Sequence, residues 1–119
     1  MKTRKEKDAI GEIDVPAESY AGSFHARAKA NFKISTLQAY ASFSEALCNI
    51  KISAAKVNPL EKKIKDAILK AGEEFLSGKF ENDFDLDIYQ AGAGTPFNMN
   101  MNEILANRAG EILGGKKGE

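Results

Sequence analysis

The residues best suited to chemistry lie in one run, Gln90-Ala91-Gly92-Ala93-Gly94-Thr95, followed by Asn98-Met99-Asn100-Met101-Asn102-Glu103. Gly92 and Gly94 flank Ala93 and let the backbone come close to a ligand. Thr95 follows with a hydroxyl that can donate a hydrogen bond. A helix starting a few residues later adds unpaired amides and the positive end of its dipole. Together these groups suit a carboxylate or a phosphate. The run is neither the phosphate loop with Gly-Lys-Ser/Thr nor Gly-x-Gly-x-x-Gly, and Pro96 removes one amide donor. On spacing alone, a bare turn before a helix fits as well as an anion site. Asn98 could contact amides or carboxylates; Asn100 and Asn102 read as structural.

Other candidates for chemistry are few. His25 is the only histidine, and no serine or cysteine is arranged with it as a nucleophilic pair, so a surface or capping role is expected. Asp83, Asp85 and Asp87 alternate like the ligands of a calcium loop. Counting from Asp83, however, the sixth and twelfth positions hold Ile88 and Gly94 where glycine and glutamate are needed. A solvated strand face is the expectation there. Cys48 is the only cysteine, which rules out an internal disulfide and reads as a small buried hydrophobe. A reducing cytoplasm is the default compartment.

Composition limits the partners. The 119 residues carry 17 Lys plus Arg against 17 Asp plus Glu, so no net field attracts nucleic acid or an anionic membrane. No apolar run is long enough to span a bilayer, and acidic residues follow the basic N-terminus where an export signal would need apolar ones.

The elements that position the run are mostly helical, within a single domain spanning residues 1–119. Alternation of Ile13 and Val15 against Glu12 and Asp14 predicts one or two short strands between Ala9 and Val15, within an arm over residues 1–16. Helices and connections fill 19–115. Phe24, Ala28 and Phe32 mark a first helix beginning between Ser19 and Ser23. Tyr40, Phe43, Leu47, Ile50, Ala54 and Val57 form an apolar seam over 37–57. Asn58-Pro59-Leu60-Glu61 reads as cap, first helical position and capping box of the next helix. That helix carries Leu60, Ile64, Ile68, Ala71 and Phe75 and stops at Ser77-Gly78. The two seams are expected to face each other. An extended segment is expected over 80–90, with Phe84, Leu86 and Ile88 on one side. Met101, Leu105, Ala109 and Ile112 mark a last helix ending at Gly114-Gly115, with Lys116 to Glu119 unstructured.

The run Tyr89 to Thr95, with Asn98-Met99-Asn100, Asn102-Glu103 and Ala106-Asn107, resembles the aspartase/fumarase family stretch that supplies substrate-binding hydroxyls. Arg4, Lys7-Asp8, Gly11, Val15-Pro16, Tyr20, Gly22, Arg27-Ala28 and Asn31-Phe32 resemble that family's N-terminal sequence, so the likeness covers nearly the whole chain. It implies a mainly α fold with short N-terminal strands, the helical N-terminal domain of the aspartase/fumarase fold without its long central helix bundle.

Fumarases usually carry serine between the two glycines and tryptophan before the glutamine. Ala93 and Tyr89 therefore resemble aspartate ammonia-lyases more, and imply a carbon-nitrogen lyase that converts aspartate to fumarate and ammonia. A fumarate hydratase-like fragment, or a non-catalytic homologue acting as an interaction module, is the alternative. His25 stands where the family commonly has threonine, and Pro96-Phe97 replaces small polar residues.

By this resemblance Thr95, Gly94, Ala93 and Asn98 bind the carboxylate of a small dicarboxylate substrate. The family's base, a serine on a later glycine- and serine-rich loop, is missing from these residues. The resemblance thus implies no catalytic residue, cofactor or metal ligand here, and a chain incomplete and inactive alone. It also implies a homotetrameric parent enzyme, so an apolar seam is expected to be exposed and to favour self-association.

Overall fold

The computed structural model describes all residues from Met1 to Glu119. Two strands, β1 (Thr3–Lys7) and β2 (Glu12–Pro16), pair antiparallel with Arg4 opposite Val15 and Glu6 opposite Ile13. Their turn closes because Asp8 accepts hydrogen bonds from the amides of Ile10 and Gly11, while Gly11 takes a φ of 139°, a region open to glycine. Four helices follow: α1 (Ser23–Asn31), α2 (Ala41–Val57), α3 (Lys62–Leu76) and α4 (Thr95–Ile112). The mainly helical fold with a small sheet is as expected.

The core lies between α4 and the other helices. Met101, Ile104, Leu105 and Ala109 of α4 are buried against Ala67, Ala71 and Phe75 of α3, Cys48 of α2 and Ala28 of α1. Small residues on α3 let the helices approach closely. At Gly72 an added Cβ would stand 2.6 Å from Ile52 Cγ1, so α2 and α3 meet across a glycine. Cys48 is fully buried there, and burial pushes its thiol up to about 11. It is an inert core residue, as expected.

The helix boundaries differ from the sequence reading in instructive ways. The Asn58-Pro59-Leu60-Glu61 cap is not formed: α3 starts at Lys62 with Glu61 as its N-cap, and no side chain caps it. Instead Leu60 donates its amide to the Asn58 carbonyl, so Asn58 and Pro59 form a connecting turn one step earlier. Gly78, with φ 89°, does end the helix region where expected. The seams of α2 and α3 meet only in part. Tyr40 is 86% exposed, Ile50 62% and Val57 83%, whereas Cys48 and Ala55 face the core, so α2 is turned about its axis relative to its apolar seam. The expected exposed apolar face is therefore present on α2.

The 80–90 segment is not a solvated strand. It contains a single 3-10 turn at Glu81–Asp83 and then an irregular extended stretch held by one isolated bridge, Gln38 to Asp87. Phe84 and Leu86 are buried and Ile88 is half-buried, so the period of two survives. The aspartates, however, turn inward. Asp83 accepts from Ser19 Oγ at 2.5 Å and from the Tyr20 amide at 3.1 Å. Asp87 takes the Ile34 and Ser35 amides, the Ser35 hydroxyl and the Tyr89 amide. Asp85 binds His25 Nε2 at 2.7 Å and also pairs with Lys29. Periodicity could not reveal this, since apart from the Tyr89 amide the donors sit 52 to 64 residues earlier in the chain.

His25 is consequently neither a surface nor a capping residue; its side chain is buried on α1 beside Asp85. The tail is also ordered. Lys117 Nζ lies 4.1 Å from the Tyr20 ring centroid and donates to the Glu18 carbonyl, while the Gly118 amide donates to Asn107 Oδ1.

Two measurements check this account. Phe84 stacks on Phe97 at 5.6 Å and meets Phe75 edge-on at 6.2 Å, so Phe84→Ala should cost about 3–5 kcal/mol in a urea titration. Burial raises the Asp85 pKa, but the hydrogen bonds from His25 and Lys29 outweigh it and bring the value from 3.8 down to about 2. Because the folded value is depressed, the stability it contributes is present above about pH 4 and is lost as pH falls toward 2. His25→Thr should therefore cost about 1–2 kcal/mol at neutral pH, with the difference from the parent chain shrinking between pH 4 and pH 2.

Candidate active-site corner

The corner is built by the start of α4. Gly94 is its N-cap, in the left-handed region at φ 75°, and donates its amide to the Ala91 carbonyl at 2.9 Å. Thr95 is the first helical residue, so the helix begins at the hydroxyl and not a few residues beyond it. Pro96 fills the next position, where a missing N–H costs nothing. The amides of Thr95 and Phe97 make no hydrogen bond within the chain, and no side chain caps them. Thr95 and Ala93 are exposed, and Gly94 and Asn98 are half-buried.

Of the four residues expected to bind substrate, Thr95, Gly94 and Asn98 therefore share one helix start. Ala93 precedes it in an exposed turn. Gly92 has open space around it and no positive φ, so of the two glycines in this corner only Gly94 requires glycine.

Phe97 fixes the corner to the body. Its ring is buried, 5.2 Å from Phe43 and 5.6 Å from Phe84 between centroids. The departure at Pro96-Phe97 is thus an anchor, with both side chains turned away from the exposed Thr95. Asn100 is fully buried and donates to the Asp83 carbonyl at 2.8 Å, which makes it structural as expected.

One polar partner was not visible in the sequence. Lys51 of α2 donates to Asn98 Oδ1 at 2.5 Å across 47 residues of chain. It sits off the apolar seam of α2, and no local pattern distinguishes it from the chain's other lysines. Below it, Lys51, Asn58 and Asn102 border an open cleft of about 250 Å³ between α2, α3 and α4.

The second set of family-like residues turns out to be a scaffold. Arg4 donates to the carbonyls of Pro16, Ser19 and Ala21 and to Glu6, which folds the arm against the segment leading into α1. Arg27 holds Asp8 with two hydrogen bonds, at 2.6 and 2.9 Å. The N-terminus of α1 has no acid of its own; Glu6 accepts from the Ser23 amide and Glu103 of α4 from the His25 amide. Burial raises the Glu103 pKa, and nearby Glu6 adds to it. At Gly22 a Cβ would lie 2.3 Å from Glu103 Oε2, so a larger residue at this junction would push that carboxylate aside. Tyr20 donates to Glu111, and Arg108 ties Glu111 to Glu74 on α3.

This arrangement can bind an anion at the α4 start and can donate hydrogen bonds to it. His25, on α1, hydrogen-bonds Asp85 and not a nucleophile, so it offers no general base of the serine-histidine kind. No helix is long and apolar enough to cross a membrane.

Comparison with known proteins assigns the family. A family profile described as Lyase matches residues 11–118. The fumarate hydratase class II of Wigglesworthia glossinidia brevipalpis is 49% identical over 120 residues, covering 98% of this chain and 26% of that protein. That of Bordetella parapertussis is 45% identical over 123 residues, covering 100% of this chain and 27% of its own length. The crystal structure of a recombinant class II fumarase from Schistosoma mansoni superposes with a TM-score of 0.93 at 37% identity, covering 99% of this chain and 26% of that one. The chain thus spans about a quarter of the relatives it matches. Those relatives carry the hydratase name, so the narrower expectation of an aspartate ammonia-lyase, resting on Ala93 and Tyr89, finds no support among them. The chain belongs to the lyase family of the aspartase/fumarase superfamily, and these residues form the family's N-terminal domain.

Proposed function

We propose that this chain is the N-terminal part of a fumarate hydratase-like hydro-lyase and supplies one carboxylate-binding wall of its active site. The observation that carries the reading is the start of α4. There the exposed Thr95 hydroxyl and two unpaired amides occur together in the stretch that resembles the family's substrate-binding run. The hydratase names of relatives 45% and 49% identical favour water over ammonia as the group added or lost.

In such a reaction a base removes a proton beside one carboxylate of malate, charge builds on that carboxylate, and the hydroxyl group on the neighbouring carbon takes a proton from an acid outside these residues and leaves as water. Donors aimed at the carboxylate lower the barrier because they are fixed before the charge develops. Thr95 Oγ1 and the amides of Thr95 and Phe97 serve as such donors, reinforced by the helix dipole. Ala93 contributes backbone only, since it lacks the hydroxyl that fumarases usually place there. The proton-abstracting base belongs to the part of the enzyme outside these residues.

The purified chain should show no interconversion of malate and fumarate above buffer. Grafted in place of the corresponding quarter of a class II fumarate hydratase, it should restore that activity. In the graft, Thr95→Val should lower kcat/KM by about 10²–10³-fold. A graft that turned over aspartate and not malate would restore the ammonia-lyase assignment, and robust turnover by the chain alone would overturn the proposal.

A further inference from the structure

Asn98 carries both an acceptor and a donor, and on sequence grounds it could face a ligand with either. The ammonium of Lys51 can only donate, so its contact at 2.5 Å selects Oδ1 of Asn98 and leaves the Nδ2 hydrogens facing away from Lys51. Nδ2 has no acceptor within the chain, whereas the equivalent groups of Asn49, Asn100 and Asn107 are each bound to a carbonyl.

Charge gives an independent argument. Lys51 stands at the first turn of α4, the positive end of that helix, and the turn contains no acidic residue. Lys51 pairs with no carboxylate, and its one hydrogen bond is to Asn98. A cation at the wrong end of a helix dipole, already half-buried, is unfavourable unless an anion joins it. Two of its three N–H donors have no partner in the chain.

We infer that Lys51 is a positioning residue for the corner: it locks Asn98 as a hydrogen-bond donor and places a positive charge behind it, committing the site to a carboxylate. Thr95, Asn98 and Asn102 are spaced i, i+3 and i+7, so they share one face of α4. Asn98 then extends the set of donors begun by Thr95, and Lys51 acts through it. This inference rests on the proposed substrate-binding role of the corner, and it deepens that role by naming what fixes its polarity.

The test separates the two. In the labelled 119-residue chain, the Asn98 side-chain amide signals should move in Lys51→Met and return to their original positions in Lys51→Arg, which also can only donate. Asn98 signals unmoved by Lys51→Met would overturn the inference regardless of any ligand. Titration with succinate at millimolar concentrations, followed on the Thr95 and Asn98 signals, should show affinity reduced about tenfold in Lys51→Met and kept within about twofold in Lys51→Arg, matching loss and rescue of one charge-assisted hydrogen bond. Equal succinate affinity in the parent chain and Lys51→Met would also overturn it. If the parent chain shows the Asn98 response to Lys51 but no succinate binding, the substrate-binding reading fails and the commitment to carboxylate falls with it. Butylammonium, a cation of similar length with no carboxylate, should leave all the signals in place; a response to it equal to that of succinate would count against an anion-selective corner.

Discussion

Burial of the inner face of α4 is the constraint on which the rest of this domain depends. Phe97, Met101, Ile104, Leu105 and Ala109 all face the core, and they are contacted from three sides by α1, α2 and α3. A helix held in this way cannot slide or rotate without opening cavities along its length. Its first turn is therefore fixed in space, and with it the hydroxyl of Thr95 and the free amides. Phe97 performs the last part of this anchoring, wedged between Phe43 and Phe84 immediately beside the exposed corner. The same residue that departs from the family's small polar pattern thus ties the binding turn to the hydrophobic core.

Polar contacts carry the rigidity outward from that core. Asp83, Asp85 and Asp87 bind the chain leading into α1, the side chains of α1 and the segment after it, in that order. Glu6 and Glu103 meet the N-terminus of α1 from β1 and α4, where the helix dipole favours them. Arg4 collects four carbonyls, of Pro16, Ala17, Ser19 and Ala21, at the entrance to the same helix. The acidic residues are thereby occupied in holding the arm and α1. The start of α4 is left with donors and no carboxylate, an electrostatic condition that favours an anion.

The α2 surface shows the limit of an apolar pattern. Its seam forms a continuous helix as the spacing requires, yet Tyr40, Ile50 and Val57 remain outside while Cys48, Ile52 and Ala55 approach α3 and α4. Periodicity measures whether apolar residues share a face; it does not say which neighbour that face will meet. In a chain that spans about a quarter of its relatives, such a face is a surface left over after the domain's own packing is complete.

The sequence by itself determined the elements and the chemistry of the corner. The second strand of the arm, the four helices, the glycine stop at Gly78, the burial of Cys48 and the approach of Gly94 and Thr95 to a helix start all follow from local spacing, because each depends on neighbours a few residues away; the first strand, Thr3–Lys7, does not. The family resemblance was likewise legible, since it rests on residues in fixed order. Tertiary structure alone decided what those residues touch. His25 met Asp85, the aspartates found backbone amides and Lys51 reached Asn98, each through partners whose approach is set by helix packing. Whether Asn98 presents oxygen or nitrogen to the corner depends on a lysine 47 residues away, and no local sequence pattern records that distance.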